Sequence, residues 1–240
     1  MRSLTAQRGF SPIEMLVGLA IGLLLVMGLS EGITRQHMNA RVQEELSRME
    51  DAGRFALHAI ERSLRQAGFR PNDSTPETSP LAADASFQEG AVIGPSGSSA
   101  SALMLRYQGI SDGTQTNCQG VTSKTNTMQV ELWSLGLASL QCTVLGFTQP
   151  LAPSVEDLQF ALGLDNDGDG SADELLLPAT VEKWTNVVSV RVYLRLLSGE
   201  DGLIESPQPY EDANGRLTTP GDRRLRRTFT ATVSLRQRHS

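Results

Sequence analysis

The chain is poor in the residues that most enzyme chemistry requires. In 240 residues it has three histidines, His37, His58 and His239, and two cysteines, Cys118 and Cys142. No phosphate-binding glycine loop and no zinc-ligand spacing occurs. The one G-x-S-x-G string, Gly28-Leu29-Ser30-Glu31-Gly32, lies in a helical stretch without the strand–turn–helix setting that a nucleophile elbow needs. Catalysis by carboxylates alone stays open on sequence, and would need a cleft that pairs two acids. An excess of positive charge is also missing. Lys and Arg number 21 against 27 Asp and Glu, for a net charge of −6 and a pI near 5.2. Because phosphate affinity depends on Lys and Arg, nucleic acid is not an expected partner. Apolar residues make up 39%, too few for a polytopic membrane protein and enough for one core.

There is one long apolar run. From Phe10 to Leu29 the sequence reads FSPIEMLVGLAIGLLLVMGL. Twenty helical residues rise about 30 Å, the thickness of a bilayer core. A secretory signal has a shorter apolar region followed by a small-residue cleavage site, and neither condition is met here. The run therefore reads as a retained membrane helix. Arg2 and Arg8 place its N-terminus on the cytoplasmic side, although Arg35 and Arg41 reduce the contrast. Glu14 interrupts the run, at a cost of about 2.5–3.5 kcal/mol at the centre of a membrane helix. Two readings offset that cost. Cleavage after Gly9 would create an amine at Phe10 to pair with the carboxylate, or Glu14 would snorkel to the headgroups.

Beyond the run the pattern remains helical. Val42, Leu46, Met49, Gly53, Ala56 and Ile60 form a stripe on one face, with charged residues between them. Pro12 is compatible with a first helical turn, and Gly68 with Pro71 makes a stop signal. The spacing predicts one helix from about Ser11 to Ala67, some 85 Å long.

Residues 71–101 are rich in Pro, Ser, Thr, Gly and Ala and read as a loop with a short strand near 91–93. Alternating apolar residues then predict strands around 103–107, 128–133, 140–145, 158–164, 188–196 and 229–235. The expected fold class is α+β, a long N-terminal helix whose exported half covers one face of an antiparallel β-sheet. Two cysteines in an exported domain suggest one disulfide, Cys118 to Cys142, against the alternative of two inert buried thiols. Closing that loop of about 25 residues would contribute roughly 3–4 kcal/mol.

One loop carries candidate ligands. In Asp165-Asn166-Asp167-Gly168-Asp169-Gly170-Ser171-Ala172-Asp173, acids at positions 1, 3 and 5 with Gly at 6 match the opening of an EF-hand loop. Position 12 is Leu176, so a true EF-hand is excluded. The expectation is a weak calcium site formed by Asp165, Asp167, Asp169 and Asp173, with Ser171 contributing its backbone carbonyl. A solvated acidic turn is the alternative. Arg223, Arg224, Arg226 and Arg227 form a basic cluster that reads as a solvated strand end, since no aromatic residues interleave with them.

The segment Arg8-Gly9-Phe10-Ser11-Pro12-Ile13-Glu14, followed by its apolar run, resembles the processing site of type IV prepilins. Pro12 is its one departure. The resemblance implies that a prepilin peptidase cuts after Gly9, that Phe10 becomes a methylated N-terminus, and that Glu14 acts in assembly. Further along, Val42-Gln43-Glu44, Gly53-Arg54-Phe55-Ala56-Leu57, Leu64-Arg65-Gln66-Ala67-Gly68 and Arg106-Tyr107-Gln108-Gly109 are similar to the PilW family of minor pilins. So are Cys118-Gln119-Gly120, Val155-Glu156-Asp157-Leu158-Gln159, Val187-Val188-Ser189-Val190-Arg191-Val192 and Arg224 to Val233. The likeness omits about 72–100 and 200–220. It implies a non-enzymatic subunit that primes fibre assembly with other minor pilins and the major pilin, with a tip position and a tip adhesin as further expectations. It implies an inner-membrane protein with a periplasmic C-terminal domain, needing no cofactor beyond the calcium considered above. The expected organisation is a cleaved cytoplasmic leader (1–9), a transmembrane half-helix (10–32), an exported half-helix (33–70) and a globular domain (71–240). A minor pseudopilin of a type II secretion system shares the processing site and is the alternative.

Overall fold

The computed structural model describes residues 11–71 and 81–235, with the side chains of 29–35 excepted. Gly9 and Phe10, the expected processing site, lie outside the described residues. One helix, α1, runs Pro12–Gln66, within a residue or so of the limits its sequence signals set. The chain divides into two compact units, Met1–Glu45 and Leu46–Ser240, so the boundary falls inside α1.

In the first unit the helix opens with a reciprocal cap. The Ser11 backbone N–H donates to Glu14 Oε2 at 3.0 Å, and the Ile13 N–H reaches Ser11 Oγ at 3.4 Å. Ser at the N-cap with Glu three residues on is a capping box, and Pro12 takes the first helical position, where its missing N–H costs nothing. The side chains that follow are exposed on every face, from Ile13 (71%) through Leu19 (62%) to Met27 (69%). A helix apolar all round requires an apolar surrounding. Among the described residues no helix is long and apolar enough to cross a membrane.

In the second unit α1 changes character. Met49, Gly53, Ala56, Ile60, Ser63, Leu64 and Ala67 are buried, at the spacing of one helix face. Gly68, with φ of +74°, ends the helix where a side chain would be strained. Its N–H donates to Arg106 C=O at 2.9 Å, which ties the helix end to the first sheet.

Two antiparallel sheets stand where the sequence predicts one. The first has strands β1 (Ile93–Pro95), β2 (Ala102–Gln108), β3 (Met128–Leu135), β4 (Ser139–Val144) and β5 (Phe147–Pro153), in sequential order. The second contains β6 (Val155–Leu164), β7 (Glu174–Leu176), β8 (Val187–Leu197) and β11 (Arg226–Ser234), in the order β11-β8-β6-β7. Strands β9 (Tyr210–Glu211) and β10 (Leu217–Thr218) form a separate short ribbon. The sequence pattern misses β5 because its two prolines and exposed side chains erase the alternation. The chain passes from β5 to β6 through Ser154 alone, and β2, β3 and β4 all approach β6, so the sheets share one core. Leu103, Leu105, Tyr107, Trp133, Leu140 and Cys142 line the first sheet's inner face. Leu158, Phe160, Leu162, Val190, Val192, Leu194 and Leu196 line that of the second. Both inner faces keep the period of two that the sequence shows.

Helix and second sheet meet at Gly53. A Cβ there would lie 2.1 Å from the ring of Phe229 on β11, so only glycine admits this approach without movement of the ring. One turn earlier, Glu50 accepts a hydrogen bond from Arg227 Nε at 3.3 Å.

Candidate functional site

The acidic loop joins β6 to β7, and its geometry separates the predicted ligands into two groups. Carboxylate oxygens of Asp165, Asp167 and Asp173 lie within 4.8 Å of one another, with Asp165 buried and the other two exposed. Asp169 is not part of that group. The Asp169 carboxylate instead accepts the Ser171 N–H at 2.7 Å. The converging oxygens are also engaged with the loop's own backbone. Asp165 Oδ1 accepts from Gly168 N–H at 2.6 Å and Oδ2 from Gly170 N–H at 2.8 Å, while Asp173 Oδ2 accepts from Asn166 N–H at 2.7 Å. Donation from the Gly170 N–H, then from Gly168, holds the Asp165 carboxyl below its ordinary range despite burial. Of the four aspartates expected from sequence, three converge and Asp169 does not join them. The reason is local: a short acidic side chain captures the nearest free N–H.

The structure joins Cys118 to Cys142, with Cα atoms 6.3 Å apart. This bridge fixes the loop between β2 and β3 to β4, and other bonds hold the same loop. Cys118 N–H donates to Glu131 Oε1 at 2.8 Å, and the Tyr107 hydroxyl donates to the same oxygen at 2.7 Å. Gln119 donates to the carbonyls of Cys142 (3.1 Å) and Phe147 (2.7 Å). Arg62 of α1 donates to the Thr116 hydroxyl and to the carbonyls of Thr116 and Asn117. Glu131 has no exposed surface and lies on the inner face of β3. Burial first, and then the adjacent carboxylate, raise the Tyr107 phenol far above its ordinary range, so Tyr107 remains a donor. Glu131 was legible only as a polar residue within an apolar alternation, a signal the strand pattern passes over.

The arginine cluster departs most from expectation. The Arg226 side chain is only 8% exposed, unlike that of a solvated strand end. Its guanidinium binds Glu156 at 2.9 Å and Asp222 at 2.7 Å. Arg195 binds the same Glu156 at 2.7 Å and Asp157 at 3.3 Å. The Tyr210 ring lies against both guanidinium groups, its centroid 4.2 Å from Arg195 and 5.3 Å from Arg226. Asp222 is pulled down to about 2, chiefly by the hydrogen bonds from Arg226. Apart from Asp222, four residues before Arg226, the sequence offers no sign of this network, because Glu156 and Tyr210 come from segments farther away in the chain. A cleft of about 470 Å³ adjoins it, lined by residues that include Leu135, Val155, Ser198 and Arg224. Its one carboxylate is Glu156, already bound by two arginines.

With this geometry in place, the chain can be set beside known proteins. Residues 121–237 match the model of the PilW family, type IV pilus-assembly protein W. The PilW match takes in β3 through β11, the acidic loop and the arginine network. It begins after α1, so the helix and its capping box stand as independent observations. Two solved structures are similar. A type IV-like pilin from Thermus thermophilus aligns with 81% of this chain and 96% of its own, at 15% identity and a TM-score of 0.47. A complex of two pseudopilins from the type 2 secretion system of Vibrio vulnificus gives 82% and 99%, at 13% identity and a TM-score of 0.34. Neither is similar enough to carry a function. No curated protein matches the chain.

Proposed function

We propose that this protein is a minor pilin that helps to initiate and prime a type IV pilus, without enzymatic activity. The observation that carries this reading is the PilW family match over residues 121–237. The apolar helix preceding it gives the reading a mechanism. Side chains exposed all round from Ile13 to Met27 are suited to lipid before assembly and to the helices of neighbouring pilins afterwards. Prepilin peptidase would remove residues 1–9, leaving Phe10 as a methylated N-terminus. That step brings a new amine within four residues of Glu14, which then has two roles. It caps its own helix through Ser11, and it offers a carboxylate to the amine of an adjacent subunit. The sheet-bearing unit would face the periplasm, and the fibre tip afterwards, where other minor pilins and an adhesin are its partners.

Deleting the gene in its host and counting surface pili tests the function. Loss or marked reduction of pili is expected, and wild-type piliation would sink the reading. Intact-mass measurement of the native protein tests the processing step separately, with a mature chain beginning at Phe10 as the expected result.

A subsidiary proposal concerns the acidic loop. Three carboxylates within 4.8 Å, presented as hard oxygen ligands in a glycine-containing turn, suit calcium better than magnesium, which demands a tighter octahedron. Several of their oxygens already accept backbone bonds, so a weak site is expected.

A further inference from the structure

Strand β11 forms one edge of the second sheet, and its open side can be assigned residue by residue. Register with β8 is continuous from Arg226↔Leu197 to Ser234↔Ser189. Just outside the strand, Ser198 N–H donates to Leu225 C=O at 2.9 Å, and Leu235 N–H donates to Val188 C=O at 2.8 Å. In an antiparallel pair, hydrogen-bonded and non-bonded positions alternate. Odd-numbered residues from 225 to 235 therefore direct their backbone groups toward β8. Arg226, Thr228, Thr230, Thr232 and Ser234 direct theirs away from the sheet.

The other edges among the described residues are blunted. Strand β5 carries Pro150 and Pro153, β1 has three residues ending in Pro95, and β7 has three residues. Prolines and short strands are the usual protection of an edge against pairing. Strand β11 has nine residues, no proline and three threonines on its open side. Its side chains toward the core are only partly covered, with Phe229 and Ala231 half-buried.

We infer that β11 is the acceptor edge for an extended, acidic segment of a different protein, which adds a strand to the second sheet. The inference rests on the pilin reading above, and names the surface through which this subunit would hold a neighbour. The charges argue for acidic character. Along the flank of α1 beside β11, the guanidinium groups are the exposed members of each ion pair. Arg54, Arg65 and Arg227 are 75%, 59% and 57% exposed, against 31% for Glu50 and 21% for Glu61. Arg65 also lines a depression of about 430 Å³ with residues 232–235, at the far end of the same edge. A second copy of this chain is not the occupant. Glu50 meets Arg227, Gly53 meets Phe229 and Arg65 lies by Thr232, so α1 and β11 run in the same direction. Antiparallel pairing of two β11 strands about Thr230 would bring Arg65 beside one end of the strand close to Arg227 of the other copy, a like-charge approach. In-register parallel pairing would set Arg226 and Arg227 against themselves, which is repulsive.

The test compares hydrogen exchange at Thr228, Thr230 and Thr232 in the full-length protein, alone in detergent and in pilus assemblies isolated from its host. Rapid exchange alone and at least about tenfold slower exchange in the assemblies is expected. The same amides protected in the isolated protein, by its own chain or a concentration-dependent dimer, would overturn the inference, as would unchanged exchange in the assemblies. A substitution gives an independent arm. Thr230→Pro removes an outward N–H and no bond to β8, so the purified chain should keep its melting temperature while pili fall to the level of the gene deletion. Thr230→Val, which keeps the N–H, should restore them. If deletion abolishes pili but Thr230→Pro does not, the edge proposal fails and the pilin reading stands. Should the proline variant unfold, the exchange measurement on the wild-type protein decides alone.

Discussion

The two parts of α1 solve different problems with the same backbone. From Ile13 to Met27 the apolar side chains are exposed on every face, and a Cβ added at Gly18, Gly22 or Gly28 would touch nothing. From Leu46 onward the apolar residues contract to one stripe, and a Cβ at Gly53 would collide with Phe229. The first part exposes its side chains, with open space beside each of its three glycines. The second has a partner so close that one position tolerates no side chain without rearrangement. Helical hydrogen bonding is common to both. What differs is the medium for which the surface is written, and among the described residues the second part obtains that medium from the sheets.

The largest effect that would sharpen this contrast is a buried truncation. Leu64→Ala should cost about 2–5 kcal/mol, because Leu64 is a fully enclosed part of the stripe. Leu23→Ala, at a side chain 62% exposed, should leave thermal unfolding of the sheet-bearing unit within about 0.5 kcal/mol. Melting both variants of the full chain in detergent, followed by near-ultraviolet circular dichroism, checks the pair. Equal losses would break the comparison.

Removing the bridge is next. Replacing Cys118 and Cys142 together by alanine should cost about 2–4 kcal/mol, the usual contribution of a disulfide closing a loop of this size. The loop between β2 and β3 should then exchange its amides faster. The exposed part of α1 should not respond, since stability belongs to the unit that has a core. Denaturant titration with and without reductant measures the loss.

Much of the second unit is legible in the sequence. The stripe from Met49 to Ile60, the stop at Gly68 and six strands follow from period and punctuation, because each is decided by neighbours in sequence. The acidic loop was legible as a cluster but not as a geometry. Which oxygens converge depends on which N–H each aspartate captures, and Asp169 turns to Ser171 and leaves the group. The arginines before the last strand looked solvated because a sequence window cannot see Glu156 approaching Arg226 from a distant strand.

Calcium should have a smaller effect than the bridge. If it binds only the folded state, calcium at tenfold above Kd stabilises by about 1.4 kcal/mol. The protein should melt higher in millimolar calcium than in chelator, and Asp167→Ala should remove the difference. Coincident melting curves, with no heat in a calorimetric titration, would reduce the loop to a self-bonded turn.

The smallest predicted effect is acidic. Asp222, held at about 2 by Arg226 against an ordinary value of 3.8, is depressed by folding. Its stabilisation is present above pH 4 and is lost as pH falls from about 4 toward 2. A third of its side chain is exposed, so the contribution should remain below about 1 kcal/mol. Melting curves of wild type and Asp222→Asn should differ at pH 6 and converge near pH 2; a constant gap would assign the effect to packing.

By itself the sequence determined the helix and its limits, its change from an all-round apolar surface to a stripe, most strands and the cysteine pair. These are short-range properties, set by side-chain period, by proline and glycine, and by composition. Only the tertiary structure decided that the strands divide into two sheets, that Glu131 holds Cys118 and Tyr107 together, and that Arg226 is spent on Glu156 and Asp222. It also decided that β11 stands at a sheet edge among the described residues. Those outcomes depend on which distant segment arrives to satisfy a buried charge or a free backbone group, and neither composition nor period records an arrival from elsewhere in the chain.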